Sequence, residues 1–277
     1  MLPECRKASV QLWQNGAMTR FRSRRRTRRP RRGRRPPLWR RLLRAVLLAL
    51  ALLLALLFLL ILLLRWVDPP YSMYMLSPAS GPTPPSLRHS WQRIDDLPRH
   101  VPLAVIAAED QRFPQHRGFD WLSIRQAVDA HRQGARLRGA STISQQTSKN
   151  LFLWHGRSFA RKLLEAGFTA TIETLWPKAR ILEVYLNVAE WGPGIFGIDS
   201  AARYHFGIPA RQLSREQAAL LAAALPNPRL HTPARPSSHL LQRARWIERQ
   251  MNQLGPGWLE PLQLGPNPAT PSALRGT

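Results

Sequence analysis

The chain has 277 residues, of which 44% are hydrophobic, enough for one good-sized domain or two small ones. Its net charge of +25 is uneven, because residues 1–44 hold 16 Lys and Arg against one acid, Glu4, and so supply +15. Cys5 is the only cysteine and lies in that basic stretch, so an intrachain disulfide is excluded. A domain outside the cytoplasm would have to fold without one.

The basic tail, residues 1–41, is rich in Arg and Pro and has no apolar period, which predicts disorder. An Arg-rich arm can bind nucleic acid by neutralising phosphates. It can also serve as a topology signal that rests on anionic lipid. The second interpretation is simpler beside a membrane span, so we expect no nucleic-acid partner.

Residues 42–64 predict a transmembrane helix. Twenty unbroken apolar residues run from Ala45 to Leu64, about 30 Å of helix, which matches the hydrocarbon core of a bilayer. Arg65, Trp66 and Val67 follow instead of a small-residue cleavage site, which favours a retained anchor over a signal peptide. The Arg run before the span predicts a cytoplasmic N-terminus and, in a bacterium, a periplasmic domain on the inner membrane.

Beyond the span, residues 65–90 predict a proline-rich linker, because Asp68 to Pro85 holds six prolines and one glycine. Trp66, Tyr71 and Tyr74 suit an aromatic belt at the bilayer interface. Residues 91–255 predict one folded domain and residues 256–277 a C-terminal tail. The domain has helical periodicity and no useful period-2 alternation, so the predicted fold class is all-α.

Start and stop signals divide the domain into helices. Pro102 suits the first turn of an apolar helix that ends at Glu109 and Asp110, and Asp120 is a plausible cap for the next. The later predictions are a helix capped by Ser141, then 158–176, 178–190, 200–206, 215–225 with a Ser214 capping box, and 238–254.

A polar stripe in the Ser141 helix is the main chemical signal. Thr142, Gln145, Gln146 and Lys149 fall at i, i+3, i+4 and i+7, with no carboxylate among them. The pattern is typical either of a helix that faces water or of one that holds a polar, anionic ligand. Apolar neighbours such as Ile143 and Leu151 favour the second interpretation, because a polar face on a buried helix needs a cavity.

A second cluster places Arg161 and Lys162 four and three residues before Glu165, near one helical face. By itself such spacing is more typical of a solvated surface ion pair.

Glu109 closes an apolar helix beside a loop, where partial burial and the neighbouring Asp110 would raise its pKa and make it a better base. By itself this pair is more typical of a solvated helix end.

Four motifs resemble, in order and spacing, those of the peptidoglycan glycosyltransferases: EDQRFPQHRGFD from Glu109, GASTISQQTSKN from Gly139, RKLLE from Arg161 and KARILEVYLN from Lys178. The resemblance covers roughly residues 90–236, including LPNP at 225–228. The plan is similar to that of monofunctional single-pass members. The 41 residues after Pro236 contain no S-x-x-K or K-T-G, so we expect no transpeptidase.

The resemblance implies a lysozyme-like helical domain that polymerises lipid II, with a growing lipid-linked glycan as donor. It implies that Glu109 is the general base and that Glu165 orients cations and the donor sugar. Lys149, Arg161 and Lys162 would stabilise the departing diphosphate of the polyprenyl carrier. Ser141, Thr142, Gln145, Gln146 and Asn150 would form the polar wall of the site. Attack opposite the leaving group would invert the anomeric carbon.

Ala140 is one departure from the family motif, since the family commonly has a second glycine there. Its methyl group slightly restricts the backbone before the helix.

No cluster of His, Asp and Glu has metal-ligand spacing, and we interpret His116, His131 and His155 as surface or hydrogen-bonded residues. Any Mg²⁺ or Mn²⁺ would therefore enter with the diphosphate. Other partners expected are inner-membrane lipids and cell-division or elongation proteins.

A polyprenyl substrate predicts a site at the membrane surface, because each exposed CH₂ costs about 0.8 kcal/mol. The candidates for membrane contact are Phe113, Trp121, Leu151, Phe152 and Trp154, which could equally be core residues.

Two rival functions remain open. One is a glycan-cleaving enzyme of the lytic transglycosylase or muramidase type, and the other is a tethered protein that binds peptidoglycan or DNA without catalysis.

Overall fold

A computed structural model describes residues 37–76, 88–134, 141–156 and 158–268. Ten α-helices lie in these ranges: α1 Leu38–Leu63, α2 Met73–Leu76, α3 His100–Glu109, α4 Trp121–Arg132, α5 Ile143–Phe152, α6 Phe159–Leu175, α7 Lys178–Val188, α8 Ile198–Phe206, α9 Arg215–Ala224 and α10 Ser238–Leu254. The predicted helical class is confirmed. The predicted bounds of α6 to α10 agree to within two residues, whereas α1 begins four residues before the predicted residue 42. The basic tail to residue 36, Gly139 and Ala140 lie outside the described ranges.

Three very short strands accompany the helices: β1 Arg88–His89, β2 Glu190–Gly192 and β3 Ile195–Phe196. They form one sheet in the order β1-β3-β2, in which β3 is parallel to β1 and antiparallel to β2. Gly197, which follows β3, has a φ of +86° and approaches two backbone carbonyls so closely that a Cβ would lie 3.1 Å from Ser90 O. A glycine is therefore required where the chain leaves the sheet for α8.

The helix α1 is 26 residues long and, among the described residues, is the one helix long and apolar enough to cross a membrane. The packed unit of the chain begins within it, at Ala51. Near its end the carbonyl of Ile61 accepts a 2.8 Å hydrogen bond from the indole of Trp176. The amide of Arg65, which would ordinarily bond that carbonyl, bonds Leu62 O instead. Trp176 therefore completes the end of α1.

The core forms around α3, in which every residue from Val101 to Ala107 is buried. Such an apolar helix has no solvent face, so it must be covered on all sides. The helices α9 and α10 pack against α3, while α5 packs between α6 and α7. The two ends that carry the candidate chemistry, the last residue of α3 and the middle of α5, are thus both supported by the core.

Two predictions about the flanks are wrong in part. Within the predicted extended linker, residues 73–76 form the single-turn helix α2, and Tyr74 packs on the domain, so it is not an interfacial anchor. At the other end, the packed structure continues past residue 255. A 3-10 helix, Pro256–Leu262, buries Leu259 and Leu262. The apolar side chains in a proline-rich stretch were the signal that the sequence offered for both.

Candidate active site

The helix α3 ends in Glu109, the candidate general base. Its carboxylate Oε2 accepts a 2.9 Å hydrogen bond from Gln146 Nε2. Burial raises the pKa of Glu109 above its ordinary value, while the Gln146 bond and the charges of Arg243 and Lys149 oppose that shift. The like charge of Asp110 adds a smaller increase. The direction of the shift is the one predicted, and it brings the carboxylate closer to the proton affinity that a base needs.

Gln146 is itself held in place by Tyr185 of α7. The buried Tyr185 hydroxyl donates to Gln146 Oε1 at 3.3 Å. Burial raises the pKa of Tyr185 well above its ordinary value, so the phenol stays protonated and remains a donor. Because the amide oxygen is occupied, the amide nitrogen is directed to Glu109. Three elements of the fold therefore orient one carboxylate.

Asp110 connects the end of α3 to the start of α5. Its buried carboxylate accepts from the backbone N–H of Ile143 at 3.0 Å and from His116 Nε2 at 3.0 Å. An anion suits the first turn of a helix, where backbone N–H groups lack helical partners. Asp110 thus sets the position of α5, and hence of Lys149, relative to Glu109.

Lys149 is the cation of α5. Burial lowers the pKa of Lys149, the charge of Glu165 raises it, and the charges of Arg161 and Lys162 lower it further. Its Nζ lies 5.7 Å from the centroid of the Tyr74 ring. The ion pairs formed among the described residues do not include Lys149. Its ammonium is a partly desolvated charge that an anionic ligand can neutralise.

The cap of α5 is Thr142, so the prediction that Ser141 caps this helix is wrong. Thr142 Oγ1 accepts from Gln145 N at 3.2 Å, and Gln145 Oε1 accepts from Thr142 N at 3.0 Å, which is a capping box. Thr142 Oγ1 also donates to Gly118 O at 2.6 Å. Thr142 and Gln145 are both buried, and their side chains bond backbone N–H groups, whereas Ser141 is exposed.

Glu165 is 3% exposed, so for this residue the surface ion-pair interpretation is wrong. Its carboxylate accepts from Arg161 Nη1 at 3.4 Å and from Lys162 Nζ at 2.5 Å. The Arg161 side chain is mostly buried, and that of Lys162 is half exposed. A buried acid that holds two cations on one face of α6 fixes them in position.

Two openings meet at Glu109, Gln146 and Lys149. The first, which we call the cationic groove, has a volume of about 1140 Å³ and is bordered by Ala108, Glu109, Ser141, Gln146, Lys149, Arg161, Lys162, Glu165, Pro226, His239, Gln242, Arg243, Trp246 and Arg249. The second, the inner cavity, has about 300 Å³ and is bordered by Tyr74, Glu109, Gln146, Lys149, Asn150, Tyr185, Ala189, Glu190 and residues 225–230. The structure thus brings together every candidate residue except Thr142 and Gln145.

Several residues that border these openings could not be identified as site residues from the sequence. Arg243 and Arg249 come from α10, nearly 80 residues after Glu165, and place a second pair of cations in the groove. In the inner cavity, the buried Glu190 accepts from Arg229 Nε at 3.0 Å and from Gly194 N at 3.2 Å. The proline-rich LPNP stretch before Arg229 was the one sequence signal for this wall.

The three histidines differ. His116 is hydrogen-bonded to Asp110, and His131 is exposed, as interpreted from the sequence. His155 is neither, because it is half-buried and its ring nitrogens have no hydrogen-bond partner among the described residues. Within the part of the chain that the structure describes, no group of three His, Cys, Asp or Glu side chains could hold a metal ion.

The candidates for membrane contact fall into a buried group and an exposed group. Phe113 and Leu151 are core residues, and Phe152 stacks on Phe168, so that interpretation is wrong for these three. Trp121 and Trp154 are exposed. Phe159, Leu163 and Leu164 of α6 are exposed as well, and α6 is the helix that carries Arg161 and Lys162.

A family model described as Transglycosylase matches residues 81–252, well over half of the chain. The chain belongs to the transglycosylase family. It is a peptidoglycan glycosyltransferase, the class to which the sequence motifs pointed.

Individual relatives agree with the family match. The chain is 54% identical over 197 residues to a biosynthetic peptidoglycan transglycosylase of Pseudomonas fluorescens, covering 70% of this chain and 82% of the relative. A protein of the same name from Pseudomonas aeruginosa is also 54% identical over 197 residues, covering 70% and 85%. One from Chromohalobacter salexigens is 57% identical over 172 residues, covering 62% and 74%.

Proposed function

We propose that this glycosyltransferase polymerises lipid II into glycan strands, inverts the donor anomeric carbon and releases polyprenyl diphosphate. The observation that carries the proposal is the shared groove, in which the Glu109 carboxylate lies with Lys149, Arg161 and Lys162. A base for an alcohol and a fixed set of cations for a departing diphosphate are the two requirements of this reaction.

In the proposed step, the 4-hydroxyl of the acceptor lipid II donates its proton to Glu109 as its oxygen bonds to the donor C1. The bond from C1 to the phosphate oxygen breaks on the opposite face, and the diphosphate leaves with the electron pair. An α-linked donor therefore gives a β-linked product. Gln146 holds the carboxylate that receives the proton.

The leaving diphosphate is assigned to Lys149, Arg161 and Lys162. Charge grows on that group in the transition state, so cations that are already fixed stabilise the transition state more than the ground state. Glu165 fixes two of the three by its ion pairs with Arg161 and Lys162. Any Mg²⁺ or Mn²⁺ would arrive on the diphosphate oxygens, which such ions prefer.

The acceptor carries a diphosphate too, so a polymerase needs a second cationic wall. Arg243 and Arg249 of α10 supply one in the same groove. We assign them to the acceptor, with Trp246 beside them as a flat apolar surface on which a sugar ring can pack. A glycan-cleaving enzyme would have no use for two such clusters.

The lipid substrates place the reaction at a bilayer. We propose that α1 anchors the chain in the bacterial inner membrane, with its Arg-rich N-terminal side in the cytoplasm and the catalytic domain in the periplasm. The exposed Phe159, Leu163 and Leu164 on α6 would meet the outer leaflet beside the cations of that helix. Binding to cell-division or elongation proteins stays a prediction.

The deciding experiment compares the full-length protein with its Glu109→Gln variant in vesicles that contain lipid II. We expect glycan polymer from the wild type and a loss of about 10²–10⁴-fold in the variant, the usual contribution of a general base. Purified cell-wall glycan is the second substrate. Fragments from it, and no polymer from lipid II, would mean a cleaving enzyme.

The stability of the variant serves as its control. Because the folded-state pKa of Glu109 is raised, protonated Glu109 is favoured in the fold, and its contribution to stability is lost as pH rises above the unfolded value. Glu109→Gln should therefore be at least as stable as the wild type at pH 7. Full polymerisation by this folded variant would mean that a group other than Glu109 is the base, and a wild type that neither polymerises lipid II nor cleaves glycan would indicate a binding role.

A further inference from the structure

The segment between α1 and the domain is held by the domain. The Arg180 guanidinium of α7 donates to Leu64 O at 3.0 Å and to Val67 O at 2.8 Å, and it pairs with Asp68 at 2.6 Å. Its side chain is 9% exposed, which makes these charge-assisted bonds strong relative to surface contacts. The chain after the anchor is thus directed along a defined path.

That path ends in α2, which packs against α5. Ser72 Oγ accepts from Met75 N at 3.2 Å, and both residues are buried. Between them, Tyr74 points its ring to the α5 side, where the ring lies 3.6 Å from that of His155, centroid to centroid, and 5.7 Å from Lys149 Nζ. Tyr74 also borders the inner cavity beside Glu109.

The ring gives Lys149 a partner that does not neutralise it. An ammonium over an aromatic face is stabilised without losing its charge, whereas a carboxylate partner would compete with an anionic ligand. Burial and the charges of Arg229 and Lys149 lower the pKa of His155, so the ring below Tyr74 is neutral and does not repel the ammonium.

We propose that Tyr74 is a positioning residue of this glycosyltransferase: its ring holds the Lys149 ammonium at the junction of the inner cavity and the cationic groove, ready for the diphosphate of the donor. The inference rests on the role proposed for Lys149. It makes the segment that follows the membrane helix a wall of the active site, so the anchor and the catalytic centre share a structural element.

The test uses the full-length protein in vesicles and measures initial rates over a range of lipid II concentrations. Tyr74→Leu removes the aromatic face, Tyr74→Phe keeps it, and Tyr71→Leu is the matched control, since Tyr71 is 56% exposed in the same segment. We expect kcat/KM to fall about 10-fold in Tyr74→Leu, within the range of a lost cation–π contact, and to stay within about twofold in the other two.

The Phe variant distinguishes positioning from packing. If Tyr74→Phe were as impaired as Tyr74→Leu, or if Tyr74→Leu matched the wild type, the proposal would be overturned. Titration with inorganic pyrophosphate gives a readout that needs no turnover, and only Tyr74→Leu should weaken its binding. A wild type that binds pyrophosphate but makes no polymer would refute the proposed function, while the Tyr74 contrast would still decide this contact.

Discussion

The two halves of α5 both carry polar side chains, but those at its start cap the helix and those in its middle border the candidate site. At its start, Thr142 and Gln145 bond each other's backbone and are sealed in the core. One turn later, Gln146 and Lys149 face the groove and the cavity. The helix therefore uses its polar residues in two ways: the first pair closes its N-terminal end, and the second pair borders the openings.

Lys149→Met tests the functional half and should have the largest effect. We expect polymerisation to fall by at least 10²-fold, because the proposed role of Lys149 is to stabilise the charge that develops on the leaving diphosphate. The folded-state pKa of Lys149 is lowered, so its charged form is disfavoured in the fold at pH 7, and the variant should be no less stable. Rates and thermal unfolding are both measured. A large drop in stability would place Lys149 with the structural half.

Gln146→Leu should have an intermediate effect that depends on pH. The bond from Gln146 lowers the pKa of Glu109, so its loss leaves burial less opposed and raises that pKa further. The base must be ionised, hence activity will fall at a higher pH on the acid side than in the wild type. We expect the loss relative to the wild type to be largest, about 10-fold, at the acid end of the profile and to shrink as the pH rises.

A pH–rate profile of kcat/KM in both proteins checks this. The alkaline side, where Lys149 loses its proton, provides the internal control and should move little. An acid side that does not move would show that Gln146 leaves the proton affinity of Glu109 unchanged.

Thr142→Val tests the structural half and should have the smallest effect on rate. Its loss of the cap predicts about 1–2 kcal/mol lower stability, with activity per folded molecule within about threefold of the wild type. Ser214→Ala removes the cap of the other capping box, on α9, and should behave alike. Denaturant unfolding gives the stability. If Thr142→Val lost activity while staying as stable as the wild type, Thr142 would belong to the site.

Much of this arrangement could be predicted from the sequence. The apolar run to Glu109 and the helical spacing of Lys149 depend on local patterns, and both are where those patterns indicated. The cap of α5 was missed by one residue, although T-x-x-Q at Thr142 is the better capping box and favours it over Ser141. Adjacent hydroxyl residues make that boundary ambiguous unless the third residue is also considered.

Other parts could not be predicted from local pattern. The Arg243 and Arg249 side chains look like an ordinary charged face of an amphipathic helix, and only the packing of α10 on α3 brings them into the groove. Tyr74 lies in a proline-rich stretch whose composition indicates a linker, and Arg180, over 100 residues later, is what directs that stretch back to the domain. Both depend on long-range contacts.

Trp176 and Arg180 lie on either side of Pro177, and both donate to carbonyls at the end of α1. The turn between α6 and α7 therefore supplies donors that the last turn of the apolar helix lacks. A substitution at either residue would leave a carbonyl without its donor more than 100 residues earlier in the chain.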